Sequence, residues 1–397
     1  MQLYDLATPT PDRAVPEPDV FIAGGGPAGL ACAIAAAQRG LTVEVADGMS
    51  PPIDKACGEG LMPDTIAALA DLGIDLNSTE SAPFRGIRFL GVDSSGTPVT
   101  AQAAFPATAG RGVRRLLLHQ LLLDRATALG VRFSWQTVVQ EIHEIQLQQG
   151  TTPSQNRSPQ RSIVQTNRHT VRPRFIIGAD GHRSRVRTWA SLDRASFSAG
   201  RLGLRQHFQT NAPPDFVEVH WSDHGQAYVT PVSTHEICVA FVASTKFPNI
   251  QSALTHFPQL QQRLQSATPT DTPRGSVTLS RKLHRVTRGN VALIGDASGS
   301  VDAVTGEGLG LCFRQALALG EVLHSGDLAP YQQAHRAIQR LPYYMGRAML
   351  LLDASPRLRS ITLPLLQRQP RLFERLLSIH IGHSPRQPLH TTVIPVS

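Results

Sequence analysis

The sequence has no apolar run that approaches the roughly 18 residues needed to cross a bilayer, although 41% of its 397 residues are hydrophobic. The first residues, Met1 to Pro18, are polar and lack the apolar core of a signal peptide. We therefore expect a globular cytoplasmic chain. Its length predicts two domains or one large discontinuous domain.

Paired cysteines are also missing. The four cysteines are far apart and show no CxxC spacing: Cys32, Cys57, Cys238 and Cys312. This pattern excludes a disulfide framework and a zinc set. We predict no metal site, and a reducing compartment fits the chain.

Acidic residues are the minority, because 38 Lys and Arg stand against 30 Asp and Glu, a formal charge of +8. The arginines are scattered, with a modest excess after Arg314, so we expect no nucleic-acid partner. The excess is either a solubilising surface or a patch attracted to an anionic membrane face or acidic partner. Peripheral membrane contact therefore stays open.

What the sequence does have is glycine at the ends of predicted strands. Residues 24–29 (GGGPAG) directly follow the apolar residues 20–23. Gly24 permits a tight turn, Gly26 lets a diphosphate approach the backbone, and Gly29 lets a helix pack on the strand. The segment predicts a dinucleotide-binding turn.

The helix after this turn begins at Pro27 and Ala28, where free N–H groups and a partial positive charge suit a diphosphate. A second strand, residues 41–46, ends on Asp47. An acid at about 20 residues past the glycines can accept hydrogen bonds from both hydroxyls of an adenosine ribose. We predict that Asp47 does so.

Two further strands end in glycine motifs. Residues 178–181 (GADG) follow the apolar residues 175–177, with Asp180 at a sharp bend and Ser184 placed to cap the next turn. Gly295 opens the third motif after another apolar strand. Three such segments in this order predict one long dinucleotide, FAD, held along its whole length.

In the third motif, Asp296 can hold a ribityl hydroxyl of FAD. The chain then crosses to a helix start that contains Gly306, Gly308 and Leu309. The partial positive charge of that helix would stabilise the anion on a reduced flavin ring.

We predict an α/β fold: a Rossmann-like FAD-binding domain of the glutathione-reductase type, an inserted antiparallel β-sheet substrate domain, and C-terminal helices. The FAD-binding domain is discontinuous and comprises residues 18–85, 107–195 and 275–325. The substrate domain comprises residues 86–106 and 196–274. Residues 326–397 form the C-terminal helical region, and residues 148–161 read as a hairpin loop.

The three motifs and the loop at 57–63 (CGEGLMP) resemble FAD-dependent oxidoreductases of the group that contains aromatic hydroxylases, flavin halogenases and geranylgeranyl reductases. The resemblance covers nearly the whole chain in motif order. Residues 295–309 are most similar to the geranylgeranyl-reductase branch, and the whole chain resembles polyketide- or lipid-tailoring enzymes. The resemblance implies that Arg115 contacts the cofactor near its diphosphate, with Arg114 competing for that role.

Catalytic residues are harder to assign. Flavin halogenases carry two tryptophans in a stretch that here reads AYVTP at 227–231, so halogenation is not expected. Cys57, Glu59, His220 and Tyr228 are candidates for lining the reaction site. We name Cys57 and Tyr228 as catalytic candidates; each could equally be a buried structural residue, and Glu59 could only cap a nearby helix.

The resemblance implies an NAD(P)H-driven monooxygenase that acts on a hydrophobic or aromatic secondary metabolite. NAD(P)H would bind transiently, because no separate nicotinamide fingerprint is visible. One alternative is geranylgeranyl-reductase-like reduction of prenyl or other C=C bonds. Another is a non-catalytic flavin-binding or peripheral membrane protein.

Overall fold

The structure is a computed structural model that describes residues 17–144, 162–197, 200–211, 213–244 and 247–382. The hairpin loop predicted at 148–161 and the tail at 383–397 lie outside these residues. Helices and strands are numbered in chain order.

The strands are β1 (Val20–Ala23), β2 (Val43–Asp47), β3 (Gly60–Leu61), β4 (Ala82–Phe84), β5 (Gly86–Val92), β6 (Pro98–Ala104), β7 (Gly110–Gly112), β8 (Arg132–Trp135), β9 (Val139–Glu144), β10 (Ser162–Thr166), β11 (Thr170–Val171), β12 (Phe175–Gly178), β13 (Ala195–Phe197), β14 (Arg201–Gln209), β15 (Val217–Ser222), β16 (Gly225–Pro231), β17 (Glu236–Ala243), β18 (Thr268–Pro269), β19 (Arg274–Thr278), β20 (Arg281–Leu283), β21 (Thr287–Arg288), β22 (Val291–Leu293) and β23 (Gly299–Ser300). The α-helices are α1 (Pro27–Ala37), α2 (Pro63–Asp71), α3 (Arg115–Ala128), α4 (Arg185–Trp189), α5 (Ile250–Leu254), α6 (Pro258–Leu264), α7 (Gly308–Ser325), α8 (Ala329–Ala354), α9 (Pro356–Arg368) and α10 (Pro370–His380). Short 3₁₀ helices occupy Gly295–Ser298 and Ala303–Thr305.

The central sheet has the order β21-β22-β12-β1-β2-β8, and every pair except β21–β22 is parallel. Strand β1 and the apolar helix α1 are almost completely buried, as expected where helices cover a parallel sheet. Strands β1, β12 and β22 are neighbours, and each is followed by one of the glycine motifs. Their carboxyl ends therefore meet at one edge of the sheet.

The second sheet has eight strands in the order β18-β14-β17-β16-β15-β5-β6, with β19 also paired to β14. Its pairs are antiparallel except β15–β5, which is parallel. Strands from 86–106 and from 196–274 both lie in it, and its strand β19 runs on to Thr278. The domain bounds stay a prediction.

The C-terminal helices pack on one face of the second sheet. A hydrophobic cluster joins Phe89 and Trp221 of the sheet to Leu363 of α9 and Phe373 of α10. Buried Arg201 links strand β14 to helix α8. Its guanidinium binds the carboxylate of Asp353 in α8 and that of Asp302, at 2.9 Å each. Within the described ranges, every helix is too short or too polar to span a membrane.

Candidate active site

The first glycine turn has two crowded glycines and one open one. Gly24 has a φ of +115°, and a Cβ there would lie 2.4 Å from the Ala179 carbonyl oxygen. A Cβ on Gly29 would lie 1.8 Å from the Gly24 carbonyl oxygen, whereas one on Gly26 would meet nothing within 4 Å. Gly26 is the N-cap of α1 and lines the large cavity. Gly24 and Gly29 therefore build the turn, and Gly26 leaves space before an uncapped helix end.

Two side chains hold this turn from outside. Asp47, at the end of β2, accepts a hydrogen bond from the Gly25 N–H at 2.7 Å and another from the Met49 N–H at 2.8 Å. His119 of α3 is buried, and its Nε2 lies 2.9 Å from the Gly25 carbonyl oxygen. Burial lowers the pKa of His119, so the neutral imidazole donates this bond. Each carboxylate oxygen of Asp47 keeps a second lone pair that is able to accept a bond from a ribose hydroxyl. The ribose contact itself stays a prediction.

The second motif is built as a helix cap. Asp180 accepts hydrogen bonds from the N–H groups of Arg185 and Val186 at 2.7 and 3.2 Å. Ser184 caps the same helix, as the sequence predicts. The second oxygen of Asp180 is buried and has no hydrogen-bond partner among the described residues. The chain neighbours of Asp180 line the cavity, but Asp180 itself does not. Its contact with a cofactor stays a prediction.

The third motif presents an unpaired acid and a second open helix end to the cavity. Asp296 is exposed and lines the cavity, and its carboxylate forms no hydrogen bond or ion pair with the described residues. Gly306 adopts a φ of +67°, which turns the chain into α7. A Cβ on Gly308, the first residue of α7, would meet nothing within 4 Å, and the N-cap Glu307 makes no side-chain cap. The first N–H groups of α7 thus lack side-chain partners.

Arg115, unlike its neighbour Arg114, lines the cavity. Its side chain is buried in the cavity wall, and its Nε has no hydrogen-bond partner among the described residues. Arg114 instead binds Glu236 through Nη1 at 2.7 Å. The Arg115 backbone N–H donates to Glu59 at 2.9 Å, so Glu59 caps α3. Of the two arginines, the one that lines the cavity is therefore Arg115, and its contact with the cofactor stays a prediction.

These groups fit FAD. The open glycines Gly26 and Gly308, the Arg115 cation and the Asp296 carboxylate all line one cavity of about 1010 Å³. N–H groups and a cation suit a diphosphate, and an unpaired carboxylate suits a ribityl hydroxyl. Buried polar groups are rarely left without a partner, so the unpaired Arg115 Nε itself indicates a polar ligand. The other predicted cofactor residues that line the cavity are Pro27, Ala28, Gly295, Gly306 and Leu309.

The far half of the cavity is apolar. It is lined by Phe84 of β4, from the second sheet by Ile87, Phe89, Val217, Val219, Ala240 and Val242, and from the C-terminal helices by Met345, Ala348, Met349, Leu352, Leu366, Phe373, Leu376 and Leu377. Because side chains alternate along a strand, Val217 and Val219 face the cavity while His220 lies on the other face beside Glu218. His220 is therefore not a lining residue.

Both catalytic candidates line the cavity in constrained settings. The Tyr228 hydroxyl donates to the Val304 carbonyl oxygen at 2.8 Å, and burial raises its pKa far above the ordinary value. Cys57 is half-buried, and its Sγ accepts the Glu59 N–H at 3.4 Å. Burial also raises the pKa of Cys57. Tyr228 thus holds the third motif, and the catalytic roles of both residues stay predictions.

A buried carboxylate–imidazole–carboxylate chain reaches the cavity wall beside Cys57. His207 of β14 is fully buried, with Nε2 2.6 Å from Glu59 Oε2 and Nδ1 2.7 Å from Asp271 Oδ2. Glu59 lines the cavity and has a φ of +60°, a conformation uncommon for a residue other than glycine. Asp271 is partly exposed. A hydrogen-bonded path therefore runs from the protein surface to the cavity, and sequence reasoning missed it.

The same group has the composition of a metal site but different bonding. Ligand atoms of Glu59, His207 and Cys238 lie within 4.8 Å of one another. Both nitrogens of His207 are already engaged by carboxylates, and the Arg205 cation lies 3.7 Å from Glu59. A neighbouring cation opposes binding of a metal ion. The arrangement favours an ion-pair network.

The last of the C-terminal helices also reaches the third motif. Glu307, before α7, lies 3.3 Å from Nδ1 of His380 at the end of α10. Burial raises the pKa of Glu307 to about 8 and lowers the pKa of His380 to about 4. Both groups are therefore largely neutral near pH 7, and α10 meets the motif without an ion pair.

Residues 17–326 match a protein family described as an FAD binding domain. Over 382 residues, 89% of each chain, the sequence is 27% identical to a menaquinone reductase of Mycolicibacterium smegmatis. It is 29% identical over 324 residues, 77% of this chain and 72% of the relative, to the ubiquinone hydroxylase UbiL of Rhodospirillum rubrum. The fold is similar to that of p-nitrophenol 4-monooxygenase from Pseudomonas putida, with a TM-score of 0.75, 18% identity, and coverage of 93% of this chain and 98% of that one.

Proposed function

We propose that this chain catalyses the NAD(P)H-driven monooxygenation of a hydrophobic aromatic or quinone-type molecule. The chain belongs to the FAD binding domain family and is an FAD-dependent oxidoreductase. The observation that carries the proposal is the single cavity that joins the FAD-binding groups to an apolar chamber under the C-terminal helices. A buried charge without a partner is costly, so this chamber favours an apolar substrate over a charged one.

The chain's own residues would hold the cofactor and exclude water. The helix ends at Gly26 and Gly308 and the Arg115 guanidinium would bind the anionic part, and Asp296 would accept a ribityl hydroxyl. When bound, FAD supplies two-electron chemistry, with electrons from NAD(P)H passed on to oxygen or to a substrate double bond. The apolar side chains of the second sheet and of α8–α10 would keep water from the reacting centre.

The path Asp271–His207–Glu59 would move a proton between solvent and the cavity. Glu59 Oε2 takes a proton from His207 Nε2, and His207 Nδ1 recovers one through Asp271. A general acid of this kind serves a step that leaves negative charge on the substrate.

The names of the relatives support a quinone-type substrate. One relative is named a ubiquinone hydroxylase and another a menaquinone reductase, so each name refers to a quinone. The name of the menaquinone relative also supports a reduction as the second candidate. We propose a C=C bond as its target, and the proton path beside Cys57 favours this reaction because hydride addition requires a proton.

Turnover with defined substrates tests both candidates. The purified holoprotein would be mixed with NADPH in air and with aromatic polyketides, quinones or prenyl lipids, and products weighed by mass spectrometry. A product heavier by one oxygen atom supports monooxygenation, and one heavier by two hydrogen atoms supports reduction. If NADPH never bleaches the flavin, with or without these substrates, the NADPH-driven reaction is wrong.

A further inference from the structure

The outer surface of helices α8–α10 carries both apolar and basic side chains. We name it the C-terminal face and define it by exposed large apolar residues: Tyr344, Leu351, Leu358, Ile361, Leu365, Leu372, Leu376 and Ile379. Most of the exposed large hydrophobic residues of the described chain lie in this short stretch. Such an apolar concentration on a protein surface marks an interaction site.

The apolar residues form stripes opposite the buried sides of the helices. In α9, Leu358, Ile361 and Leu365 are exposed, while Leu363 and Leu366 pack inward. In α10, the exposed residues Leu372, Leu376 and Ile379 likewise follow helical spacing. These helices are thus apolar on two sides, and only one side is covered by the second sheet.

The same helices carry exposed arginines, of which Arg371 and Arg375 directly precede Leu372 and Leu376: Arg340, Arg347, Arg357, Arg368, Arg371 and Arg375. Glu374 is the exposed acid between them. An exposed apolar stripe bordered by arginines is the composition of a helix that lies in the interface of an anionic bilayer.

The large cavity lies directly beneath this face. Ala348 of α8 and Leu376 of α10 are both exposed and also line the cavity. An apolar molecule held in a docked bilayer would therefore lie next to the wall of the apolar chamber.

We propose that the C-terminal face docks on an anionic lipid bilayer and receives the substrate from it. A second copy of the chain fits less well, because a symmetric dimer through this face would bring two arginine-rich surfaces together. The docking inference is based on the apolar stripes and the arginines. The transfer of substrate from the bilayer also rests on the proposed function, in which the substrate is apolar. Docking and turnover are therefore measured separately.

The test uses the full-length holoprotein and sedimentation with vesicles. We expect binding to phosphatidylcholine vesicles that contain phosphatidylglycerol, and weak binding to phosphatidylcholine alone. Leu358→Ser, Ile361→Ser and Leu365→Ser together should weaken binding by at least roughly tenfold. Arg371→Gln with Arg375→Gln should weaken it by roughly thirtyfold, since each arginine near an anionic surface contributes about fivefold.

Matched controls are Val138→Ser, an exposed apolar residue of the FAD-binding part, and Arg168→Gln, an exposed arginine there. Neither should change vesicle binding, and all variants should keep their FAD content. Failure of the wild type to bind anionic vesicles overturns the proposal, as does undiminished binding by the C-terminal variants. A dimer in light scattering that the serine variants disperse, without vesicle binding, assigns the face to a second copy instead.

Turnover of a water-soluble short-chain substrate separates the two proposals. If the vesicle results hold and no substrate turns over, the proposed reaction fails alone. If substrates turn over and vesicle binding is absent, the docking inference fails alone.

Discussion

His207 Nε2 lies 2.6 Å from Glu59 Oε2, although 148 positions separate the two residues in the sequence. The bond joins a strand of the second sheet to the loop before α2, so it crosses between the two parts of the fold that meet at the cavity. Asp271 holds the other side of the imidazole at 2.7 Å. This alignment has consequences that can be measured.

Replacing His207 with Gln should break proton transfer while keeping a polar side chain of similar length. We expect kcat to fall by roughly tenfold to a hundredfold, and its dependence on pH to change shape. FAD affinity should stay the same. His220→Gln on strand β15 of the same sheet is the control, because His220 does not line the cavity. An unaltered pH–rate profile in His207→Gln would remove the proton path from the mechanism.

The first glycine turn can separate folding from cofactor binding. Gly26→Val adds a side chain to open space, so the FAD-free protein should keep its free energy of unfolding within about 1 kcal/mol, while FAD binding weakens at least tenfold. Gly29→Ala drives a Cβ to 1.8 Å from a carbonyl oxygen and should lower the free energy of unfolding by about 1–3 kcal/mol or more. Fluorescence titration with FAD and thermal unfolding measure both. Full FAD affinity in Gly26→Val would contradict the cradle.

Asp296→Ala should weaken FAD binding without harming the fold. The carboxylate has no partner among the described residues, so its removal breaks no protein contact. Loss of a charged hydrogen bond to a ribityl hydroxyl should cost about 1–3 kcal/mol of binding free energy. Glu80→Ala, at another exposed acid, is the control. Unchanged affinity would show that Asp296 does not hold the ribityl chain.

The free energy of unfolding should fall on mild acidification, and His335 is the residue that causes the fall. This buried residue of α8 lies with Nε2 2.8 Å from Ser298 Oγ, and burial lowers its pKa from 6.5 to about 4. The unfolded chain binds the proton more readily, so the stabilisation is present above pH 6.5 and is lost as the pH falls towards 4, by up to about 3 kcal/mol. Denaturant unfolding from pH 7.5 to 4.5 measures this.

In His335→Asn the loss between those pH values should be smaller than in the wild type. His324→Gln, at an exposed histidine of α7, is the control and should keep the wild-type slope. Parallel slopes in wild type and His335→Asn would contradict the assignment.

The sequence predicts the glycine motifs well because each is a local pattern. A strand, a glycine turn and a helix follow one another at 20–37, and the first strand and helix form where expected. The FAD-binding fold and the cofactor follow from these local signals, and both are confirmed by the family match.

The side chains that tie distant segments together could not be predicted in this way. His119 is one of several polar residues in α3, and its bond to Gly25 spans 94 positions. His207 and Asp271 belong to strand and loop segments without a motif. The sequence predicts that Tyr228 lines the reaction site. It does not predict the bond from Tyr228 to the Val304 carbonyl oxygen, because 76 positions separate the two residues. Such pairs arise from tertiary packing, which spacing along one chain does not encode.

The order of the central sheet couples assembly of the fold to binding of the cofactor. Strand β1 pairs with β12, and β12 with β22, so residues near 22, 177 and 292 must meet before the cradle exists. Contacts at such separations form slowly and carry a large loop-closure cost. A ligand that touches all three segments stabilises only the assembled state. We therefore expect the amount of this protein in cells to follow the supply of riboflavin, because chains made without FAD stay longer in states that proteases degrade.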